Sequence, residues 1–488
     1  MGVITFRDVT FSYQESEHPS LRNVSLEIEE GEVVVLCGES GCGKSTVIRL
    51  MNGLIPFYYP GKLEGKVDVM GHDTLSGSIY DLGRRVGTVF QNPRSQFFCV
   101  DVMSELAFGA ENRNIEKDEI LSRIRAVSSL LEIDDLLPRN MFQLSGGEKQ
   151  KIACASVSVT DNPIVVLDEP SSNLDASAIG ELKKIIRKWK QKGKTVVIAE
   201  HRLEYLKDLA TRFIYLKEGA IGKTYDAEDF LKLTGRELSL MGLRTLSYDD
   251  LELGGKPIDG DVLELQDFCY TYRKSREPSL IVDRLSLPEA SVIGIIGRNG
   301  AGKSTFVRSF CGLLKHSGGA LWEKGRRYSR KARLNRSFLV MQDVNHQLFT
   351  DSVEDEITLS MDKEDPERLQ ELLEEFDLLE FREKHPMALS GGQKQRVAVA
   401  SAIASRRDFI VFDEPTSGLD YVHMKQVASS ILDLQEKGRT VFLITHDIEL
   451  IYACCSYVIQ LEKGKVRDAY PLHTGTEHKL RNFFLEGK

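Results

Sequence analysis

Apolar and polar residues alternate through ITFRDVTFSY at 4–13 and again through VLELQDFCYTY at 262–272, the period-two pattern of a half-buried antiparallel strand. Each stretch leads to a continuous apolar run, VVVLC at 33–37 and SVIGIIG at 291–297, with the length and β-branched content of a buried strand. A glycine-rich turn follows, then VIRLMNGL at 47–54 or FVRSFCGLL at 306–314 with helical spacing. Helical patterning returns in EILSRIRAVSSLLEIDDLL at 119–137 and RLQELLEEFDLLEF at 368–381, where Glu374 and Glu375 read as a solvated helix face. Beyond these come a helix, an apolar strand ending in Asp-Glu, another helix and a strand ending in His, in both halves. Periodicity fades in the acidic stretch GRELSLMGLRTLSYDDLELGGKPIDGD at 235–261. The expected organisation is therefore a first domain at 1–232, a linker at 233–261 and a second domain at 262–488.

The two halves repeat one another in order. The pattern GxxGxGKS occurs as GESGCGKS at 38–45 and GRNGAGKS at 297–304. Tyr13 and Lys44 map onto Tyr272 and Lys303 with an offset of 259, and Gln91 maps onto Gln342 with 251. Ser145, Glu169, Asp175 and His201 map onto Ser390, Glu414, Asp420 and His446 with 245. The offset changes only between motifs, so the second half has shorter loops on the same skeleton, as in a tandem duplication.

Composition narrows this little. A chain of 488 residues exceeds what one hydrophobic core supports. A formal charge of −9 argues against nucleic acid as a partner. The basic run ELKKIIRKWKQKGKT at 181–195 reads as the solvated face of a helix, with contact to acidic lipid headgroups as the alternative. The eight cysteines show no CxxC pair and no Cys/His cluster, which suits reduced thiols in a cytosolic protein. There is no N-terminal signal pattern, and the apolar runs are far shorter than the ~20 residues a spanning helix needs. Any membrane involvement is expected through a partner.

The glycines carry the first chemistry. Gly38, Gly41 and Gly43, repeated as Gly297, Gly300 and Gly302, let backbone N–H groups converge on phosphates ahead of a helix N-terminus. Lys44 and Lys303 would reach the β and γ phosphates of a nucleotide, and Ser45 and Ser304 would ligate Mg²⁺. Four apolar residues precede Asp168-Glu169 and Asp413-Glu414, as in a buried strand delivering two carboxylates to its end. The first carboxylate of each pair suits Mg²⁺, and the second can orient and deprotonate water.

LSGGEKQK at 144–151 and LSGGQKQR at 389–396 are the most specific strings in the chain. A serine followed by two glycines at a helix start is another anion cradle. With the preceding motifs, these strings resemble the signature of ABC-type ATPases, and the resemblance covers both halves. It implies an α/β fold of two tandem P-loop NTPase domains, each with an antiparallel β subdomain and a helical signature subdomain. It also implies ATP and Mg²⁺ as ligands, with Thr46, Thr305, Asp175 and Asp420 joining the nucleotide contacts. Ser145, Gly146 and Gly147 would close on the nucleotide held by Lys303, and Ser390, Gly391 and Gly392 on that held by Lys44, an intramolecular dimer with ATP sandwiched inside. Tyr13 and Tyr272 resemble the aromatic that stacks on adenine. Gln91 and Gln342 resemble the glutamine that touches Mg²⁺ and the attacking water, and His201 and His446 the histidine on the γ-phosphate. Two departures stand out: Asn173 where the second half has Gly418, and His201 set in AEHRLE rather than the THD of 445–447.

QNPRSQFF at 91–98 and QDVNHQLF at 342–349 share Gln, then Gln five residues on, then Phe at seven. With EHRLE, this resembles the ATPase components of energy-coupling factor importers. That resemblance implies vitamin, precursor, cobalt or nickel uptake. The partners would be an integral membrane scaffold and a membrane substrate-capture protein, at the cytoplasmic face of a prokaryotic membrane, with no nucleic acid. The rivals are a soluble ABC factor acting on ribosomes or nucleic acid, for which a long charged linker or basic extensions would speak, and the fused ATPase of a binding-protein-dependent sugar importer. A DNA-repair ABC protein is excluded by cysteine spacing and length.

Overall fold

The computed structural model describes residues 2–14, 16, 18–172, 174–256, 261–273 and 275–485. The chain divides into two compact units, with the change between Ser247 and Tyr248.

The first unit is built on ten strands: β1 Gly2–Tyr13, β2 Leu21–Glu29, β3 Val33–Cys37, β4 Gly61–Val69, β5 His72–Asp73, β6 Val86–Val89, β7 Ile164–Asp168, β8 Thr195–Ala199, β9 Arg212–Lys217 and β10 Ala220–Asp226. An antiparallel sheet runs β2-β1-β4-β5, and a second sheet runs β10-β9-β3-β8-β7-β6. In the second sheet all pairs are parallel except β9 with β10. β3 lies between β8 and β9 with all five residues buried, which is why its sequence is continuously apolar. The alternation in β1 changes phase midway: Ile4 and Phe6 are buried, then Val9 and Phe11. The register with β2 shifts between Phe6 and Val9, where Asp8 takes a φ of 49°, and this bulge keeps all four side chains on the core face.

The second unit repeats the scheme with β11 Val262–Tyr270, β12 Leu280–Pro288, β13 Val292–Ile296, β14 Ala320–Glu323, β15 Arg326–Tyr328, β16 Ser337–Val340, β17 Phe409–Asp413, β18 Thr440–Ile444, β19 Tyr457–Glu462 and β20 Lys465–Pro471. Here the two sheets run together through one parallel pair, Ile281 with Lys465, in the order β15-β14-β11-β12-β20-β19-β13-β18-β17-β16.

Each unit also carries helices between its sixth strand and its Asp-Glu strand. In the first these are Val102–Glu111, Lys117–Leu131 and Gly146–Thr160. Ile120, Ile124, Val127 and Leu131 line the inner face of the middle one, each worth ~1.5–3 kcal/mol of burial. The counterparts are Val353–Leu359, Pro366–Glu375 and Gly391–Ala404. The basic run lies on the helix Ala176–Gln191, which buries Ile179, Leu182, Ile185, Ile186 and Trp189 and ties Lys183 to Asp208 at 2.7 Å.

The stretch expected as a linker carries its own structure. Thr234 caps a helix at Gly235–Leu240 through a capping box, and Leu238, Leu243 and Leu246 enter the core of the first unit. Farther along, the Gly254 amide donates to the Tyr452 carbonyl at 2.8 Å, within the second unit. Residues 257–260 lie outside the described residues. The eight cysteines are free thiols. Among the described residues no helix is long and apolar enough to cross a membrane.

Candidate functional site

In each unit the ends of the central strands and the glycine turn bring the expected residues together. The turn after β3 depends on backbone that only glycine adopts comfortably. Gly38 has φ 146°, and a Cβ there would sit 2.2 Å from the Leu216 carbonyl oxygen; Gly297 has φ 155° and would meet the Leu461 oxygen at 2.5 Å. Gly41 and Gly43 have φ of 79° and 103°, and Gly300 and Gly302 of 78° and 99°.

The turn folds around its lysine. Lys44 is 4% exposed, and its Nζ donates to the carbonyls of Gly38 at 2.9 Å and Glu39 at 2.8 Å. Among the described residues no carboxylate pairs with it, and a buried ammonium suits an anion of the kind a phosphate supplies. Lys303 is folded in the same way onto its own turn, with the Gly297 carbonyl at 2.6 Å, the Arg298 carbonyl at 3.2 Å and His446 Nε2 at 3.2 Å.

The serine and aspartate meet directly. Ser45 Oγ donates to Asp168 Oδ1 at 2.9 Å, and Ser304 Oγ to Asp413 Oδ2 at 3.0 Å. Burial, reinforced by neighbouring Glu169, pushes the Asp168 carboxyl up to about 6 against the pull of Ser45, Arg49 and Lys44. Burial likewise raises Asp413. A hydroxyl and a desolvated carboxylate are hard oxygen donors, and a cation would relieve the desolvated charge, so these residues fit magnesium.

The next residue is the candidate base. Glu169 and Glu414 take left-handed backbone, φ 44° and 56°, with their N–H groups donating to Ala199 and Ile444 carbonyls at 2.9 Å each. Such a conformation costs on the order of 1 kcal/mol and turns the carboxylate off the strand. Gln91 Nε2 donates to Glu169 Oε2 at 2.6 Å, and His201 Nε2 lies 3.3 Å from Oε1. In the second unit His446 Nε2 lies 3.5 Å from Glu414 Oε1 and the His446 amide donates to Oε2 at 3.1 Å, while Gln342 is exposed just past β16.

The tyrosines stand over the first turn of the following helix. Tyr13 Oη is 3.2 Å from Thr46 Oγ1 and accepts from Arg49 Nη1 at 2.9 Å; Tyr272 Oη is 3.1 Å from Thr305 Oγ1. Ser145 and Ser390 cap their helices through capping boxes with Glu148 and Gln393. Gly146 and Gly391 open those helices, with nothing within 4 Å of a built Cβ, and Gly147 and Gly392 follow. Asp175 and Asp420 cap the helices after the Asp-Glu strands, accepting from the Ala178 and His423 amides at 2.8 Å each. The contrast of Asn173 with Gly418 falls on a position outside the described residues.

One important side chain is not evident from the motifs. Glu200, before the histidine, is 2% exposed and accepts from four donors: the amides of Ser171 at 3.3 Å, His201 at 2.8 Å and Arg202 at 3.2 Å, and Tyr205 Oη at 2.9 Å. In the second unit the carboxylate sits after the histidine instead: Asp447 accepts from Thr416 Oγ1 at 2.9 Å and the Leu450 amide at 3.4 Å. Both carboxylates tie the histidine-bearing strand end to the loop after Asp-Glu. The signal was the pair AEHR against THDI, with Tyr205 at the place of Leu450. Tyr205→Phe removes one of the four donors and is expected to cost about 1.5–3 kcal/mol of stability in denaturant unfolding. An unchanged unfolding midpoint would mean that Glu200 does not need it.

Fold and site together define a tandem pair of P-loop ATPase units. The family model described as ABC transporter matches residues 21–172 and 282–417. The chain belongs to this family, and its two matched segments make it an ATP-binding, ATP-hydrolysing enzyme. Two proteins of Treponema denticola, each named provisionally as an ABC transporter ATP-binding protein, are 44% and 39% identical over 95% and 96% of this chain and 96% and 97% of their own lengths. A relative of Saccharolobus solfataricus with the same provisional name is 32% identical over 96% of this chain and 93% of its own. Among solved structures, an archaeal ribosome recycling factor in complex with an archaeal ribosomal stalk protein matches 98% of this chain and 92% of that one, at 20% identity and TM-score 0.69. RNase-L inhibitor matches 98% and 93%, at 20% and 0.68. At that identity they establish the two-unit fold.

These findings overturn the expected role as the energising subunit of an energy-coupling factor importer, together with its membrane scaffold, its capture subunit and its exclusion of nucleic acid. Two of the solved structures that match 98% of the chain are ribosome-associated by their descriptions. The strings behind the importer expectation have local structural work. Gln96 Oε1 accepts from the Phe90 amide at 3.3 Å and Gln347 Oε1 from the Met341 amide at 3.0 Å, so the second glutamine closes its own loop. The amides of Phe98 and Phe349 donate to buried Glu105 and Glu356 at 2.9 and 3.0 Å. Loop closure accounts for the second glutamine, while the Phe98 and Phe349 rings are exposed; Glu200 of EHRLE braces the histidine within its own unit.

Proposed function

We propose that both units bind ATP with magnesium and hydrolyse it, and that the cycle acts on a ribosomal particle. The observation that carries the catalytic part is the repetition, in each unit, of a P-loop lysine buried against carbonyls, a serine–aspartate pair and a glutamate set against a histidine. Lys44 and Lys303 turn from their carbonyls to the β and γ phosphates. Tyr13 and Tyr272 present their rings to the adenine. Magnesium, held by Ser45, Asp168 and Gln91 or by Ser304, Asp413 and Gln342, neutralises phosphate charge when bound. Glu169 and Glu414 accept the proton of the attacking water at a side-chain oxygen, with Gln91 and Gln342 orienting that water. His201 and His446 donate to the γ-phosphate, and the capped helices opening at Gly146 and Gly391 offer free N–H groups to anions.

The partner is suggested by the structures alike along the whole chain, which include ribosome-bound archaeal Pelota and ABCE1 at 20% identity and TM-score 0.71. The test is sedimentation of the full chain with purified ribosomal particles, with ATP and magnesium, alongside a phosphate-release assay. Co-sedimentation that depends on nucleotide, with turnover altered by the particles, is the expected result. Turnover indifferent to ribosomes and no co-sedimentation would discard the partner and leave the ATPase standing.

A further inference from the structure

We propose that the second unit holds RNA through the phosphate backbone, on a basic surface formed by β15 and the helix Arg330–Arg336 that follows it. The stretch KGRRYSRKARLNR at 324–336 has seven arginines and lysines and no acid, in a chain whose formal charge is −9. It is more strongly basic than the run at 181–195. The equivalent stretch of the first unit, DTLSGSIYDLGRR at 73–85, has two arginines balanced by two aspartates. The two are matched by the offset of 251, by the capping serines Ser78 and Ser329, and by the strand that follows each. One copy of the repeat therefore carries this charge and the other does not.

The structure sorts the seven cations. Lys324 pairs with Asp261 at 2.8 Å, and Arg336 is neutralised by Glu323 at 2.7 Å and Asp408 at 2.5 Å. Arg333 is buried on the face of Phe268, 4.8 Å from the ring centre. Arg326, Arg327, Arg330 and Lys331 are exposed, and among the described residues none of them makes an ion pair. Arg330 spends one nitrogen on the Gly312 carbonyl at 2.8 Å, which anchors it near exposed Lys315 and His316. Arg326 and Arg336 approach Tyr328 at 5.4 and 4.4 Å from its ring centre.

Exposed guanidinium groups with no ion-pair partner among the described residues are open to an anion, and a guanidinium fork matches a phosphate. β15 is the edge of its sheet, and charges there also discourage edge pairing. Edge protection does not account for Arg330 and Lys331, which lie on the helix beyond the strand. Contacts of this type position a backbone and do not read bases, so the surface suits the RNA of the proposed ribosomal partner and rests on that reading for its biological setting.

The test is binding of the full chain to a fluorescein-labelled RNA hairpin over a salt series, by anisotropy. The variants are the triple R326Q/R327Q/K331Q and, with the same charge change on the first unit, K184Q/R187Q/K192Q. We expect the first triple to weaken binding roughly 10- to 100-fold and to flatten the log–log salt slope by about 2 to 3. The second should leave both unchanged, and neither should alter basal ATP turnover, which reports the fold. An unchanged slope in the first triple would overturn the assignment. So would capture by phosphatidylserine vesicles with no binding of the hairpin. Hairpin binding through this surface without co-sedimentation with ribosomal particles would remove the ribosomal reading and keep the surface.

Discussion

The double variant E169Q/E414Q is expected to lose ATP turnover by about two orders of magnitude or more while still binding MgATP. Glutamine has the same shape and can still accept from Gln91 Nε2, which lies 2.6 Å from Glu169 Oε2. It cannot take a proton from water, so the step lost is chemical. Binding persists because the P-loop lysine and the Ser45–Asp168 pair are untouched. Measured by phosphate release and by equilibrium binding of a fluorescent ATP analogue, the outcome separates base from ligand. Turnover within a few-fold of the natural chain would remove both glutamates from the role of base. Each single variant should lose the contribution of its own unit, which shows whether the units fire independently.

The second large effect is expected on binding itself. Replacing Lys44 and Lys303 by Ala should weaken ATP binding roughly 100-fold or more, since each lysine supplies charge-assisted bonds worth about 1.5–3 kcal/mol apiece and every 1.4 kcal/mol is tenfold. The burial of this residue gives the reason for choosing it. Lys44 is 4% exposed and Lys303 7% exposed, and each is already folded onto the carbonyls of its own turn. The ammonium is thus kept at the turn, and a change of side-chain rotamer takes it from these carbonyls to the phosphates. An unchanged dissociation constant by titration calorimetry would show that backbone N–H groups alone hold the phosphates.

Much of this was legible in the chain. The P-loops and the Asp-Glu strands were readable because phosphate chemistry demands glycine at particular backbone angles and carboxylates at a strand end. The doubled order of motifs pointed to both candidate sites at once. Three features were not legible, each for a local reason. The phase change in β1 depends on a bulge at Asp8, which alternation cannot show. The stretch after 232 looked unstructured because its three core leucines, Leu238, Leu243 and Leu246, follow no single period. The shared spacing of glutamine and phenylalanine after Gln91 and Gln342 pointed by resemblance to an importer, whereas Gln96 and Gln347 close their own loops. A string can be distinctive because a loop needs it. Overall net charge hid the surface at 324–336, since a sum over the chain says nothing about where charge is concentrated.

The displaced carboxylate has a consequence for anyone recombining the two halves. Grafting Thr-His-Asp from the second unit into the first would put threonine at Glu200 and remove the carboxylate that accepts from the Ser171 amide and the Tyr205 hydroxyl. The reverse graft would leave the Thr416 hydroxyl unanswered and set a glutamate against Leu450. Histidine and bracing acid form a matched set with residues some thirty positions upstream. The halves can therefore be exchanged as entire modules, and a chimera cut at the histidine would lose its brace on both sides of the junction.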